Sequence, residues 1–493
     1  MCVLRAALRQ PPAPPRVIPP NPFPVLSIRP LFLVACLVVH TAVLAQCPTG
    51  NVAILSQEDA DAFGSDYPDC TTLSGDLFIS GQLINDLSAF VGVEVIQGDL
   101  RVEQVLGSSL DLTGFNGLTH VEGSVLVRNT LPLRDLQGLN ALQRIGGDLL
   151  VEACDSLKTL EGLSALRVVE GDLVIGNVSM TSIDGLFQLD TIGGNFIVTD
   201  ADVSLPGSLP TLTIPADLDH VGGDLVIATG YTTSLTGGTG LERIGGELQL
   251  GICFSLQSIG GFNALDAVGT DLRIYGNPSL TSITGFGELD SVPGELWVYG
   301  NWALGTVGGF PQLDHCGRMI IEGNTDLVSV TGFADLDSVG NLLINANDAL
   351  ADLSAFDRPI GLGELQITSN PQLAICHVQA VCDRIAVFLP GPSIANNATG
   401  CMNEGEVQPN CISTTVPDTT VPQWSVYPVP TAGTLNLSHP LNAPAQVLDR
   451  SGRTVLHTTL RHGQLDVRAL VPGVYHLQVI DAGTVHRLSF IRE

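Results

Sequence analysis

The sequence predicts a mainly β protein, a β-solenoid of about thirteen coils followed by a small C-terminal β-sandwich. Three observations lead there. First, a phrase of the form Gly-Gly-Asp-Leu-x-Ile recurs thirteen times. Its first apolar residue falls at Leu77, Leu100, Val125, Leu149, Leu173, Phe196, Leu225, Leu248, Leu272, Leu296, Met319, Leu342 and Leu365. All steps are 23–25 residues except the 29 from Phe196 to Leu225. A fixed period in that range marks stacked coils sharing one continuous core. Second, 44% hydrophobic and only 5% aromatic residues, with 54 glycines in 493, suit an aliphatic core turned through many corners. Third, the period is lost beyond residue 411, where short alternating stretches bounded by Gly and Pro take over.

Residues 1–45 read as an export signal. Arg29 precedes an apolar run over 31–40, and Val43 and Ala45 stand at the −3 and −1 positions of a cleavage site before Gln46. The run is too short to span a bilayer, so the mature chain is expected to hold no transmembrane segment. The Pro-rich stretch ahead of it places the natural start near residue 25. Export puts the remaining cysteines in an oxidising setting. Cys47 and Cys70 bracket an N-terminal cap, 46–74; Cys376, Cys382, Cys401 and Cys411 cluster in a second cap, 374–411. Both groups sit where an open solenoid core needs a lid. A Cys47–Cys70 bond is expected, with two more among the other four, which allow three connectivities. Ser56 and Asp59 resemble a capping box and start a helix through Phe63; a second helix is expected over 374–388.

The coils fill 75–373. In the coil that opens at Gly269, Leu272, Ile274, Leu280, Ile283, Phe286, Leu289 and Val292 point inward. Leu-x-Ile alternates as a strand does, and the later apolar positions come every third residue, as in short strands or helical turns. Asn277 falls at a sharp turn, and Asn301, Asn324, Asn347 and Asn370 repeat it. Stacked, they form a ladder that can satisfy backbone groups of neighbouring coils. Cys154 and Cys253 occupy the same slot as buried thiols. Four coils, roughly 19 Å at one strand spacing each, separate them, too far to bond. Cys316, at a coil corner, is also expected to be free.

The pattern Leu-x-Ile-x-x-Asn-x-x-Leu resembles the leucine-rich-repeat phrase. Opened by Gly-Gly-Asp-Leu, it is similar to the receptor L domains of the insulin and epidermal growth factor receptors, and to tandem L-domain-like repeats of secreted bacterial proteins. Cys47-Pro-Thr-Gly50, Tyr67-Pro-Asp-Cys70 and Asn397-Ala-Thr-Gly-Cys401 look like that family's flanking pieces. The resemblance covers about 47–411 and implies a right-handed, L-domain/leucine-rich-repeat-like solenoid.

Charge and surface patterning bound the function. Residues 47–423 hold 46 acids against 11 bases, a body that repels nucleic acid and anionic membranes. Nine acids precede the strand Leu: Asp76, Asp99, Asp148, Asp172, Asp224, Glu247, Asp271, Glu295 and Glu364. Like charges about 5 Å apart need compensation. The favoured expectation is that each accepts amides of its own Gly-Gly turn. The other is calcium, the one cofactor the column would suit; no cofactor is otherwise expected.

The residue between Leu and Ile faces outward, and nine of thirteen are apolar, too many for an ordinary wet face. One column on, Tyr275 and Tyr299 interrupt small and polar residues. Arg273, Tyr275, Trp297 and Tyr299 should therefore meet on adjacent coils as a recognition patch; packing of the column against its own coils is the equal alternative. The 29-residue step adds a loop over 200–210. Catalysis is not expected: His120, His220 and His315 lie four coils apart, and no hydrolase, metalloprotease or phosphate-loop signature occurs.

Residues 412–423 form a Thr/Pro linker. Beyond it, Val426-Tyr-Pro-Val-Pro, Asp449-Arg-Ser-Gly-Arg453 and Leu470-Val-Pro-Gly-Val-Tyr475 stand in an order similar to the C-terminal sorting domain of type IX secretion substrates, covering 424–493. Val429 stands where that family has Asn. The resemblance implies the type IX machinery as a partner and a secreted or outer-membrane surface location. The expected function is a non-enzymatic binding or adhesion protein facing an extracellular protein or glycan. A passive spacer or surface-layer component and a β-helix carbohydrate-active enzyme are the alternatives.

Overall fold

The computed structural model describes residues 47–493 apart from 108, 177–179, 200–208, 388–390, 412–424, 439–440, 451–452 and 482–483. The export signal, nearly all of the 200–210 loop and the 412–423 linker lie outside the described residues.

Every Leu-x-Ile phrase is a strand, and each pairs in parallel and in register with the next coil's phrase, as Leu248, Leu272, Leu296 and Met319 do. The first apolar residue, as in Leu272–Tyr275, is buried and the next faces out, the period of two that pleating imposes. The caps are more than lids. Val52–Ile54 and Ser393–Ala395 add a strand at each end of the column, and the β-solenoid has about 14 turns in all. A second column of two-residue strands, such as His120–Val121 and Arg144–Ile145, precedes the phrase in the coils as far as Ala267–Val268. From Ser291–Tyr299 onward the two strands run as one, and from the coil of Cys316 onward the corner is also one residue shorter, Cys316 to Met319 being a step of three where Ile244 to Leu248 and Val292 to Leu296 are four.

The opposite wall changes character along the stack. Early coils use single 3-10 turns such as Thr113–Phe115 and Glu161–Leu163; later ones use short strands such as Ser258–Ile259 and Ser282–Ile283. Inside, Phe262, Phe286, Phe310 and Phe333 stack from coil to coil at 5.5, 5.0 and 5.4 Å.

The Asn ladder lies buried beside the strands. Asn277 Oδ1 accepts the Cys253 amide at 2.9 Å, and Asn277 Nδ2 donates to the Leu250 carbonyl at 3.0 Å. Asn301, Asn324, Asn347 and Asn370 repeat both bonds on the coil before. Two more members escape a search for Asn at the repeat spacing: Thr130, bonded to the Val102 carbonyl at 3.2 Å, and Asn397 of the C-terminal cap, bonded to Ile367 at 2.9 Å. The residue before the ladder sits at positive φ along the stack, filled by Gly276, Gly300 and Gly323 in three coils and by Gln104, Asn129, Ala153, Ile252, Ala346, Ser369 and Asn396 in others.

The caps carry three disulfides, Cys47–Cys70, Cys376–Cys401 and Cys382–Cys411; Cys154, Cys253 and Cys316 are buried thiols outside any disulfide. The first helix, Gln57–Asp66, is capped by Ser56, whose Oγ accepts the Asp59 amide at 3.2 Å. The second is shorter than expected, Gln379–Ile385, because 374–378 run extended with Cys376 bonded into the core. Residues 426–492 form two antiparallel sheets. Val426–Tyr427, Thr434–Leu437 and Gln464–Asp466 make one; Pro444–Leu448, Thr454–Thr459, Gly473–Asp481 and Thr484–Arg492 make the other. Leu435, Val447, Leu477 and Phe490 are among the residues of their common core.

Candidate functional site

The acid column works differently from the expectation. Asp76 Oδ1 accepts the amide of Asp99, Asp148 that of Asp172, Asp172 that of Asn195 and Asp224 that of Glu247, at 2.7–3.0 Å. Each therefore bonds the equivalent residue of the next coil, not its own turn. Ser124 and Asn195 fill the slot with neutral oxygens, accepting from Asp148 at 3.0 Å and Asp224 at 2.7 Å. What the position requires is a short acceptor, not a charge. The Gly before it follows: a Cβ on Gly98, Gly123 or Gly171 would overlap the preceding coil's Oδ1. The longer Glu members do not join this series. Glu364 bonds Asn341 at 3.1 Å, while Glu247 and Glu295 turn to arginine.

That arginine anchors the aromatic cluster. The register places Arg273 beside Trp297, and Gly251, Tyr275 and Tyr299 in one row on successive coils. Arg273 Nη2 meets Asp271 at 2.7 Å and Glu295 at 3.7 Å, Nε lies 3.4 Å from Glu247, and its Cζ lies 5.8 Å from the centre of the Trp297 ring. Arg318 takes the other Glu295 oxygen at 2.9 Å. Burial pushes the Glu247 carboxyl above its ordinary value, partly offset by Arg273. Trp297 stacks between Tyr275 at 6.1 Å and Tyr299 at 5.2 Å, near-parallel to both. Its buried Nε1 has no hydrogen-bond partner, so stacking and the guanidinium hold the ring. Tyr275 lies over Gly251, where a Cβ would strike the ring, and its hydroxyl accepts from Gln249 Nε2. Burial raises the Tyr275 phenol.

The four residues expected to meet do meet, but they form the half-buried side of a larger surface. In the turn around the ladder, Ile252, Phe254, Tyr299 and Trp302 are 42, 48, 41 and 60% exposed. Tyr299 ends its strand and was reached by alternation, which cannot find the turn residues Ile252, Phe254 and Trp302. The available signal was the position after the ladder residue, apolar in three successive coils as Phe254, Pro278 and Trp302, then Thr325 and Asp348. The rest of the outward column, Leu126 to Val226, is half-buried along the sheet. His120, His220 and His315 share one column, four coils apart.

Residues 425–491 match the secretion system C-terminal sorting domain. No curated protein matches the chain. The module is a type IX secretion sorting domain, and it indicates export to a secreted or outer-membrane surface location by way of that machinery. Among the described residues no helix is long and apolar enough to cross a membrane.

Proposed function

We propose that this is a secreted or surface-held, non-enzymatic binding protein whose solenoid presents the Tyr275–Trp302 surface to an extracellular protein or glycan. The observation that carries it is the set of exposed Phe254, Tyr299 and Trp302 flanking the half-buried Tyr275 and Trp297, rich in the Trp and Tyr that dominate binding hot spots.

The reading assigns no catalytic role. The histidines stand too far apart to share a proton or a metal, and the inner oxygens of the Asp column are occupied by amides. That occupation also supports a function without calcium or another cofactor. We place the solenoid with the L-domain and leucine-rich-repeat-like proteins; in its favour are the phrase and the buried Asn slot. The test is a protein and glycan array probed with the whole chain and with Trp302→Ala. Saturable binding lost in the variant is expected. A blank array points to a passive spacer, and turnover of a polysaccharide to an enzyme.

A further inference from the structure

The aromatic surface has two sides with different electrostatics. On one, Glu247, Asp271 and Glu295 are gathered around Arg273 and Arg318. On the other, where Tyr299 and Trp302 are exposed, the next coil supplies only acids. Glu322 stands directly opposite Tyr299 in the register, and the Asp326 amide donates to the Trp302 carbonyl at 3.0 Å. Among the described residues neither carboxylate makes an ion pair or a side-chain hydrogen bond. The Tyr299 ring leans onto that coil, where a Cβ on Gly323 would meet its Cε2 at 3.4 Å.

Resting on the binding reading above, we propose that Tyr299, Trp302, Glu322 and Asp326 take a lysine- or arginine-bearing segment of an extracellular protein. The cationic group sits against an aromatic face, and the two carboxylates supply the counter-charge. Aromatic faces attract ammonium and guanidinium groups, the more so when water is excluded. Complementary charge fixes the partner's register and suppresses wrong partners. The 46 acids and 11 bases of residues 47–423 act the same way at longer range, drawing cations in and turning polyanions away. A neutral sugar would use the rings but has no need of the two carboxylates.

The experiment titrates the whole chain with a ten-residue peptide of alternating Arg and Gly, its Glu counterpart, and a neutral glucan oligosaccharide. Wild-type protein should bind the Arg peptide, more weakly as salt rises. Trp302→Ala and the pair Glu322→Gln with Asp326→Asn should each weaken binding at least about tenfold, the loss of roughly one well-placed contact. Asp290→Asn with Asp314→Asn removes the same charge from another corner and should change affinity less than about twofold, as an exposed and screened site does. Equal losses in the two charge pairs mean bulk attraction and overturn the proposal. Oligosaccharide binding that depends on Trp302 but not on Glu322 and Asp326 overturns it while leaving the surface intact. Binding of every probe untouched by Trp302→Ala removes both the proposal and the reading beneath it.

Discussion

Replacing Asn324 by Ala removes one rung of the ladder. The side chain is fully buried; its Oδ1 accepts the Asn301 amide at 3.0 Å and its Nδ2 donates to the Val298 carbonyl at 2.9 Å. Truncation leaves one N–H and one C=O unpaired in a dry core. Each such group costs about 1–3 kcal/mol, so the loss is about 4 kcal/mol. At ~1.4 kcal/mol per tenfold, opening of that coil should rise by roughly two to three orders of magnitude. Asn324→Cys gives a graded control, because the chain itself uses Cys253 in this slot. There the thiol contacts the Ile227 and Gly251 carbonyls at 3.7 and 3.4 Å and the Thr229 amide at 3.5 Å. These longer sulfur contacts should keep about half of the stabilisation. Native-state hydrogen exchange over residues 296–304 is the assay, since solenoids open locally and one global transition would average the effect away. Exchange in the Ala variant within tenfold of the parent, or a Cys variant worse than Ala, would refute the account of the ladder.

Three further outcomes follow from the same geometry. Ile252→Gly should stabilise the solenoid by about 1 kcal/mol by removing a β-branched side chain from the left-handed region, read as a raised urea midpoint; an unchanged or lowered midpoint counts against strain there. Asp314 is raised above its ordinary value by burial and by Asp337, Asp290 and Asp335. A carboxyl raised in the folded state favours folding below its folded pKa and opposes it above, so Asp314→Asn should raise Tm at pH 7 and leave it unchanged near pH 3. Burial pushes the Cys154 thiol to about 11 and the Cys316 thiol to about 12, so neither should alkylate at pH 8 until denaturant is added, as mass spectrometry would show.

The sequence made the stack, its period and its inward residues legible because the core demands the same letters at the same spacing in every coil. It also exposed the Asn slot, since a polar residue that recurs at one offset between inward apolar positions has to bond the backbone around it. The Asp column reads differently from one coil than from the stack. In one coil, Asp beside Gly-Gly looks like a turn cap; only the stack shows that its oxygen reaches the next coil through the gap the glycine leaves. Asn397 was hidden inside an Asn-Ala-Thr sequon, though its amide is buried and donates to the Ile367 and Cys401 carbonyls, which shields it from glycosylation. Trp302 and Phe254 were missed because alternation describes strands and is silent about turns. The sorting domain was legible because its phrases keep their order to the chain's end.

The two ladders run in opposite directions. A coil's ladder amide and strand carbonyl are met by the Asn of the coil that follows, and each Asp offers its oxygen to the amide of its successor. Within the run from Asn277 to Asn370 each coil presents the same socket and the same plug to its neighbour, so inserting or deleting one of these units restores the Asn connections at the seam. The last rung is tied to the cap, where Asn397 also grips the carbonyl of disulfide-bonded Cys401. The molecule is thus a ruler graduated in steps of about 4.8 Å, whose length evolution or an engineer can reset without rewriting its ends.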